Sequence, residues 1–372
     1  MKVAIVGTRG IPARYGGFET CAEELSLGLI KKGHRVLVSC RRYLYPEKPA
    51  LYKEVELCYP FSIPGKITDT FSHTFFSILR VLIWSPDVIL IFNSANSPLA
   101  IIPVIFRKKV IINVDGLEWK RAKWGKIAKI YYKFSELFSS FIADVVVSDA
   151  KAIQEYYLRK YRRESIYIPY GAPEIESRNP EILERYGLKP YGYFFIGSRL
   201  EPENHQDIAV EAFQQVKTEK FLVIAGGANW NSPYVKKLKM VKDSRIKLLG
   251  PIYIQNHIEE LHVNAYAYIH GNEVGGTNPA LLKAMGSSNC IIAFDVPFNR
   301  EVLGDAGLYF KDADELKKCI VFLLEHKEVV NNFRQKARER AKKFYRWEDV
   351  IDRYEKVCTE LKYGKKKIPD IH

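Results

Sequence analysis

The stretch Gly275-Gly276-Thr277-Asn278-Pro279-Ala280-Leu281-Leu282-Lys283-Ala284-Met285 follows an apolar run, Ala265-Tyr266-Ala267-Tyr268-Ile269-His270, of the kind that forms a buried strand. Two glycines let the backbone come close to a ligand. Asn278 is a helix-capping residue, and Pro279 suits the first helical turn because it has no N–H to leave unpaired. Strand, glycine turn and capped helix together aim free N–H groups and a positive dipole end at one point, which is how proteins hold phosphate. An ordinary strand-to-helix turn would carry the same residues, so both readings stand until a second feature is weighed.

That feature lies at the other end of the chain. A short apolar run, Lys2-Val3-Ala4-Ile5-Val6, leads into Gly7-Thr8-Arg9-Gly10-Ile11-Pro12-Ala13-Arg14-Tyr15-Gly16-Gly17-Phe18-Glu19-Thr20. A helical pattern then spans about 18–32 and stops at Gly33, a natural C-terminal glycine. The glycines are not spaced as G-x-G-x-x-G, which argues against a nicotinamide site. A loop carrying Arg9, Arg14 and Tyr15 among glycines suits a polar or anionic ligand better.

A chain of 372 residues is long for one core and predicts two domains. With 47% hydrophobic and 27% charged residues it reads as folded and globular. Met1 runs straight into a strand, so no signal peptide is read. The longest apolar runs, near 75–84 and 99–106, are short for a bilayer, and Arg80 interrupts the first. Six scattered cysteines lack metal-ligand spacing and read as small buried residues in a reducing cytoplasm. Charge is uneven: residues 1–170 carry 26 Lys and Arg against 15 Asp and Glu, while the rest is nearly balanced. A basic half predicts an anionic partner, either nucleic acid or a membrane surface.

Strands are expected near 2–6, 35–40, 87–92, 109–114 and 143–148, as the continuous Val/Ile runs of parallel strands covered on both faces. Residues 165–173, with two prolines and a glycine, read as an interdomain connection. The alternation then restarts, with strands near 193–196, 221–225, 246–249, 265–269 and 290–294. Two α/β halves, each opening on a glycine-bearing turn, predict two Rossmann-like domains facing a cleft. The expected division is 1–170, 171–345, and a C-terminal helix with basic tail at 346–372 placed to pack back on the first domain. Residues of about 314–362 read as helical, with Trp347 and Tyr354 as anchors.

These features resemble the α/β GT-B-fold glycosyltransferases, specifically the retaining family 4 enzymes. Gly7-Thr8-Arg9-Gly10-Ile11-Pro12, Tyr15-Gly16-Gly17-Phe18-Glu19-Thr20 and Asp115-Gly116-Leu117-Glu118-Trp119-Lys120-Arg121 are similar to a bacterial subgroup of rhamnosyltransferases. So are Ile168-Pro169-Tyr170-Gly171-Ala172, Glu201-Pro202-Glu203-Asn204, Gly275-Gly276-Thr277-Asn278-Pro279 and Pro297-Phe298-Asn299-Arg300-Glu301-Val302. The blocks occur in the expected order across nearly the whole chain. The resemblance implies transfer of L-rhamnose from dTDP-L-rhamnose to a lipid-linked saccharide during capsule or O-antigen assembly. It implies no cofactor beyond the nucleotide sugar and no bound metal, because helix N-termini and basic side chains can neutralise a departing diphosphate.

Under the same resemblance, Arg199 contacts the diphosphate and Asn204 stands where the family has a lysine. Gly275, Gly276, Thr277 and Asn278 donate to the distal phosphate. Asp115 lies where many relatives carry a histidine at the sugar, with Glu118 beside it; a carboxylate there could take a proton or hold a hydroxyl. An Asp-Gly pair is also a common turn, so a local role stays open. Arg9, Gly10, Tyr15, Gly16, Gly17 and Glu19 are the candidates for the acceptor side, and Arg300 with Glu301 is expected as a structural pair.

One position departs from the family. Its two glutamates, with seven residues between them, correspond to Gly275 and Lys283, and the second normally holds the ribose hydroxyls. An ammonium cannot accept their hydrogen bonds. Lys283 therefore implies a phosphate contact, reduced nucleotide affinity or lost catalysis, and Glu273 is not aligned to replace the missing carboxylate.

Residues 119–141 interleave Lys120, Arg121, Lys123, Lys126, Lys129 and Lys133 with Trp119, Trp124, Tyr131, Tyr132 and Phe134. That mixture suits an anionic bilayer, a nucleic acid, or a solvated helix with an aromatic inner face. A lipid-linked acceptor selects the membrane, so the expected site of action is cytoplasmic, on the inner face of the cell membrane, with no nucleic-acid partner. Two other readings remain open: a catalytically impaired binding subunit of a polysaccharide assembly complex, suggested by Lys283, and a nucleotide-sugar epimerase of the same fold.

Overall fold

A computed structural model describes residues 1–372 except 14–15, 66–67, 122–123, 228–231 and 365–372. The chain divides into two compact units, one formed by residues 1–170 with 347–372 and the other by residues 171–346.

The first unit alternates β1 (Lys2–Val6), α1 (Gly17–Lys31), β2 (Arg35–Ser39), β3 (Leu51–Tyr52), β4 (Val55–Cys58), α2 (Thr68–Trp84), β5 (Val88–Phe92), α3 (Ile101–Ile105), β6 (Lys109–Asn113), α4 (Lys126–Ile142), β7 (Val145–Ser148), α5 (Lys151–Tyr161) and β8 (Ile166–Tyr167). Its sheet runs β3-β4-β2-β1-β5-β6-β7-β8, parallel throughout except for the short β3–β4 pair. The central strands are fully buried Val/Ile/Leu runs, as expected when helices cover both faces of a parallel sheet.

In the second unit come β9 (Tyr193–Gly197), α6 (Gln206–Gln214), β10 (Phe221–Ala225), α7 (Pro233–Lys239), β11 (Ile246–Gly250), α8 (Gln255–Val263), β12 (Ala267–His270), α9 (Pro279–Gly286), β13 (Ile291–Phe294), α10 (Pro297–Leu303), β14 (Gly307–Phe310), α11 (Ala313–Glu325) and α12 (Lys327–Phe344). Its six strands run β11-β10-β9-β12-β13-β14, all parallel. Phe194, Phe213, Tyr266 and Phe310 fill a core completed by aliphatic residues from α6 and α11.

A last helix, α13 (Trp347–Tyr363), returns to the first unit and packs on α1. The two approach so closely that a Cβ on Gly28 would lie 2.3 Å from Ile351 Cδ1. Buried Asn113, at the end of β6, donates from Nδ2 to Tyr354 Oη at 2.8 Å. Lys32 bridges Asp352 at 2.8 Å and Glu355 at 2.9 Å on the solvent side.

Three sequence expectations change. The strand expected near 143–148 starts at Val145, because Ala143 and Asp144 end the preceding helix and turn the chain. Arg300 does not pair with Glu301; its guanidinium reaches back to Asp295, with Nη2 2.9 Å from Oδ2. Neighbouring residues on a helix point away from each other, so the i, i+1 pair was geometrically unfavourable. The helical C-terminal stretch is three separate helices, broken at His326 and again before Trp347.

Two predictions follow from the packing. Replacing Tyr354 with phenylalanine strands the buried Asn113 amide, and should cost about 1–3 kcal/mol of first-unit stability in urea titrations. In the second unit, burial holds His262 and His270 neutral, each lowered to about 3, with the Lys283 charge adding to the effect on His262. The unfolded chain takes up these protons below about pH 6.5. Stability is therefore full above that value and falls as pH drops towards 3, by up to about 1.4 kcal/mol per pH unit for each histidine. The melting temperature measured between pH 7 and pH 4 (about the range in question) should fall less steeply in His270→Phe than in the parent.

Candidate functional site

Each sheet has one place where successive connections leave in opposite directions. In the second unit the chain passes from β9 to β10 on one side and from β12 to β13 on the other, so the carboxyl ends of β9 and β12 flank a gap. Open parallel sheets bind ligands at such a switch point. Arg199 follows β9, and the loop 271–278 follows β12 and enters α9.

The loop is ready to receive an anion. Asn278 caps α9, its Oδ1 accepting from Ala280 N at 2.9 Å, and Pro279 occupies the first turn. Gly275 holds φ at +148°, a conformation that disfavours a side chain, and Gly276 behind it is buried. Among the described residues, no protein acceptor takes the N–H of Gly275 or Gly276. These donors stand at the positive end of α9, where backbone N–H groups and the helix dipole favour phosphate. Thr277 is buried beside them.

Arg199 is partly exposed, with Nη1 3.4 Å from Glu201 Oε1. Its backbone is fixed by two amides: Asn204 Nδ2 and Gln206 Nε2 each donate to the Arg199 carbonyl at 2.7 Å. Asn204 thus supports the loop that carries the arginine. Glu273 N donates to Glu203 O at 2.9 Å, which ties the β12 loop to the β9 loop. His205 stacks on Phe294 with ring centroids 4.2 Å apart, and its Nε2 lies 3.2 Å from Glu273 Oε2, out of line for a hydrogen bond. Sequence reasoning missed this histidine; its position three residues beyond Pro202, at the N-cap of α6, is the signal that could have found it.

Lys283 sits half-buried on α9. Burial lowers its pKa, a trend opposed by Glu259, and its charge is felt at His262. A cation therefore faces the interior side of the helix that carries the open N–H groups.

The corresponding gap in the first unit opens between β1 and β5. The loop after β1 is held by carboxylates: Arg9 N donates to Glu19 Oε1 at 2.9 Å and Ala13 N to Glu23 Oε2 at 2.6 Å. Thr8 Oγ1 accepts from Gly10 N at 3.1 Å, and the Arg9 carbonyl accepts from Arg41 N at 2.9 Å. Glu19 is buried, and desolvation raises its pKa against the pull of Arg9. Its visible work is to shape the loop, while Arg9 is exposed and Gly16, just before α1, faces solvent with Gly17 partly covered. Arg14 and Tyr15 lie outside the described residues.

Asp115 follows β6 in a left-handed conformation, φ +56°, and its N–H donates to Asn113 Oδ1 at 3.1 Å. Glu118 lies three residues on, where its carboxylate accepts from Arg121 Nε at 2.5 Å and Trp124 Nε1 at 3.3 Å. The two acids share one loop, and Arg121 and Trp124 hold the Glu118 carboxylate from the next turn. Buried Arg41, just beyond the carboxyl end of β2, is ion-paired with Asp69 and acts on Glu19 through its charge.

Residues 191–326 match the family described as glycosyl transferases group 1, and residues 104–173 match one described as a domain of unknown function, DUF1972. An uncharacterized glycosyltransferase of Methanocaldococcus jannaschii is 22% identical over 93% of this chain and 95% of its own length. Among solved structures, a sucrose-phosphate synthase from Thermosynechococcus elongatus superposes with a TM-score of 0.82 at 16% identity, covering 98% of this chain and all of that one. Anabaena HepE in complex with UDP and glucose gives 0.76 at 15% identity, covering 97% of this chain and 100% of that one. WaaG, a glycosyltransferase involved in lipopolysaccharide biosynthesis, gives 0.70 at 13% identity over 98% and 100%. The chain has the GT-B fold, and the part of it that matches the group 1 glycosyl transferases lies in its second unit.

Proposed function

We propose that this protein is a glycosyltransferase that takes its sugar from a nucleoside diphosphate donor held by the second unit. The observation that carries the reading is the set of open N–H groups at Gly275 and Gly276, on the capped start of α9, at the sheet's switch point beside Arg199. A diphosphate leaving group develops negative charge as the glycosidic bond breaks, and fixed donors there lower the barrier without reorganising. HepE, a structural neighbour seen in complexes with UDP and with UDP-glucose, supports a donor of that class.

Within this reading the donor is dTDP-L-rhamnose and the acceptor a lipid-linked saccharide of a cell-surface polysaccharide, at the inner face of the membrane. The support is the block-by-block resemblance of the chain to rhamnosyltransferases. Transfer proceeds with retention, the acceptor attacking from the face that the diphosphate leaves. Charge neutralisation by N–H groups and Arg199 supports a reaction that needs no metal. Asp115 is the candidate to orient a hydroxyl or receive its proton.

Lys283 favours a second reading, a nucleotide-binding subunit with impaired turnover, since its half-buried ammonium stands where a ribose-binding carboxylate is expected. Calorimetric titration with dTDP, UDP and GDP, with and without magnesium, separates the cases. Selective dTDP binding that ignores magnesium is the expected outcome; no binding to any nucleotide would overturn the donor assignment. Product analysis with dTDP-L-rhamnose then distinguishes a transferred sugar from no turnover, or from an epimerised donor.

Two variants test the residues. Arg199→Ala should weaken diphosphate binding by about tenfold to a hundredfold, the worth of a charge-assisted hydrogen bond. Lys283→Glu should tighten nucleotide binding by restoring an acceptor for the ribose hydroxyls; weaker binding in the same titration would count against that role.

A further inference from the structure

We propose that the outer face of α2, α3 and α4 in the first unit is a membrane-docking surface that inserts apolar side chains into an anionic bilayer. This deepens the membrane element of the reading above and holds whichever sugar is moved.

The three helices form one layer. The connections β4 to β5, β5 to β6 and β6 to β7 all advance in the same direction along the sheet, so right-handed crossovers put their helices on the same face. They are also fastened to a common segment, the 3-10 turn Ser94–Ala100 that leads directly into α3. Thr74 of α2 donates to Asn96 Oδ1 at 2.9 Å. From α4, Tyr131 Oη donates to the Ala95 carbonyl at 2.7 Å, and the Ser135 carbonyl accepts from Ser97 Oγ at 2.5 Å.

The solvent side of this layer is apolar. On α4, Ile127, Ile130, Phe134, Leu137 and Phe141 recur at three- and four-residue steps, and Ile127 and Phe141 are 86% and 74% exposed. On the adjoining α3, Ile105 is 70% exposed and Phe106 follows it; on α2, Ile83 is 77% exposed, with Leu79 one turn back. A single stripe at this spacing would fit one partner helix. Three helices side by side make a broad patch of a kind that monomeric soluble proteins rarely present.

The aromatic residues that the sequence suggested for this role point elsewhere. Tyr132 is buried, Tyr131 is spent on Ala95, and Trp124 packs against Tyr132 with tilted rings 5.2 Å apart. The exposed side chains are chiefly aliphatic and phenylalanine, suited to insertion below the headgroups.

Charge selects the occupant. Among the described residues, α2, α3 and α4 show no exposed carboxylate: Asp69 is buried against Arg41, and buried Glu136 accepts from Tyr156 and Tyr161. Exposed bases stand on or beside the same helices at Arg80, Arg107, Lys126 and Lys133. A second copy meeting this face would bring like charges together, whereas anionic headgroups attract them. No described helix is long and apolar enough to cross a membrane, so the helices would lie along the surface.

The test is flotation of the full chain with phosphatidylglycerol-rich vesicles and with pure phosphatidylcholine vesicles, alongside nucleotide titration and thermal melting of each variant. The parent should float with the anionic vesicles and resist stripping by salt, because inserted apolar groups are not screened. Ile130→Glu/Phe134→Glu should lose about tenfold or more of the partition, while Lys126→Glu/Lys133→Glu should lose the preference for anionic vesicles. All three should bind nucleotide alike, so failure here is separable from failure of the donor assignment. The proposal is overturned if the parent does not float at low salt. It is equally overturned if the apolar variant melts like the parent and floats equally well. The same holds if sedimentation shows a dimer of the parent that Phe134→Glu dissociates. Should the double variant misfold, Phe134→Ser alone, with its smaller expected loss, carries the same comparison.

Discussion

A parallel sheet whose connections depart both ways from its middle leaves one gap that no helix can fill. Both units of this protein are organised around that constraint. In the second, β9 and β12 are neighbours whose following helices go to opposite sides, so the loops after them must meet over the strand ends. The sequence placed there is what makes the gap chemically useful: a capped α9, a left-handed glycine, and an arginine whose backbone is clamped by Asn204 and Gln206. Backbone donors fixed by strand ends cost little to organise when a ligand arrives, and that economy is the general advantage of binding phosphate with main chain.

The first unit shows the same geometry used differently. Its glycine loop is laced by Glu19, Glu23 and the main chain of Arg41, so acidic side chains already occupy donors that the second unit leaves open. Desolvation of Glu19 is the cost of that arrangement, and Arg9 and Arg41 offset part of it. The two switch points are therefore not equivalent: one presents bare N–H groups, the other a shaped loop with an exposed arginine.

The sequence was most legible where pattern and burial coincide. Continuous Val/Ile runs marked the central strands, and Asn278-Pro279 marked the start of α9, because both signals are local. Short edge strands such as β3 and β8, two residues each, were invisible, since their pairing depends on a neighbour and not on their own composition. Rotational phase was illegible too. Mixed bases and aromatics on α4 announced an amphipathic helix, but only the contacts with Ser94–Ala100 reveal that Tyr131 and Tyr132 turn inward and Ile127, Phe134 and Phe141 outward. Of the site residues, the roles of Asn204 and Glu118 could not be read, because each depends on which carbonyl or guanidinium folds back against it.

The return of α13 to the first unit makes the second unit, in chain terms, an insertion. A ribosome releases residues 1–170 well before residues 347–363, so the surface of α1 and the buried amide of Asn113 wait for a helix made last. The inserted unit holds all its strands and helices in one continuous stretch, whereas the first has its strands early but still lacks α13. Synthesis thus finishes the molecule from the inside outward, and a chain cut short near its end would lose the closing piece of the domain that was begun first.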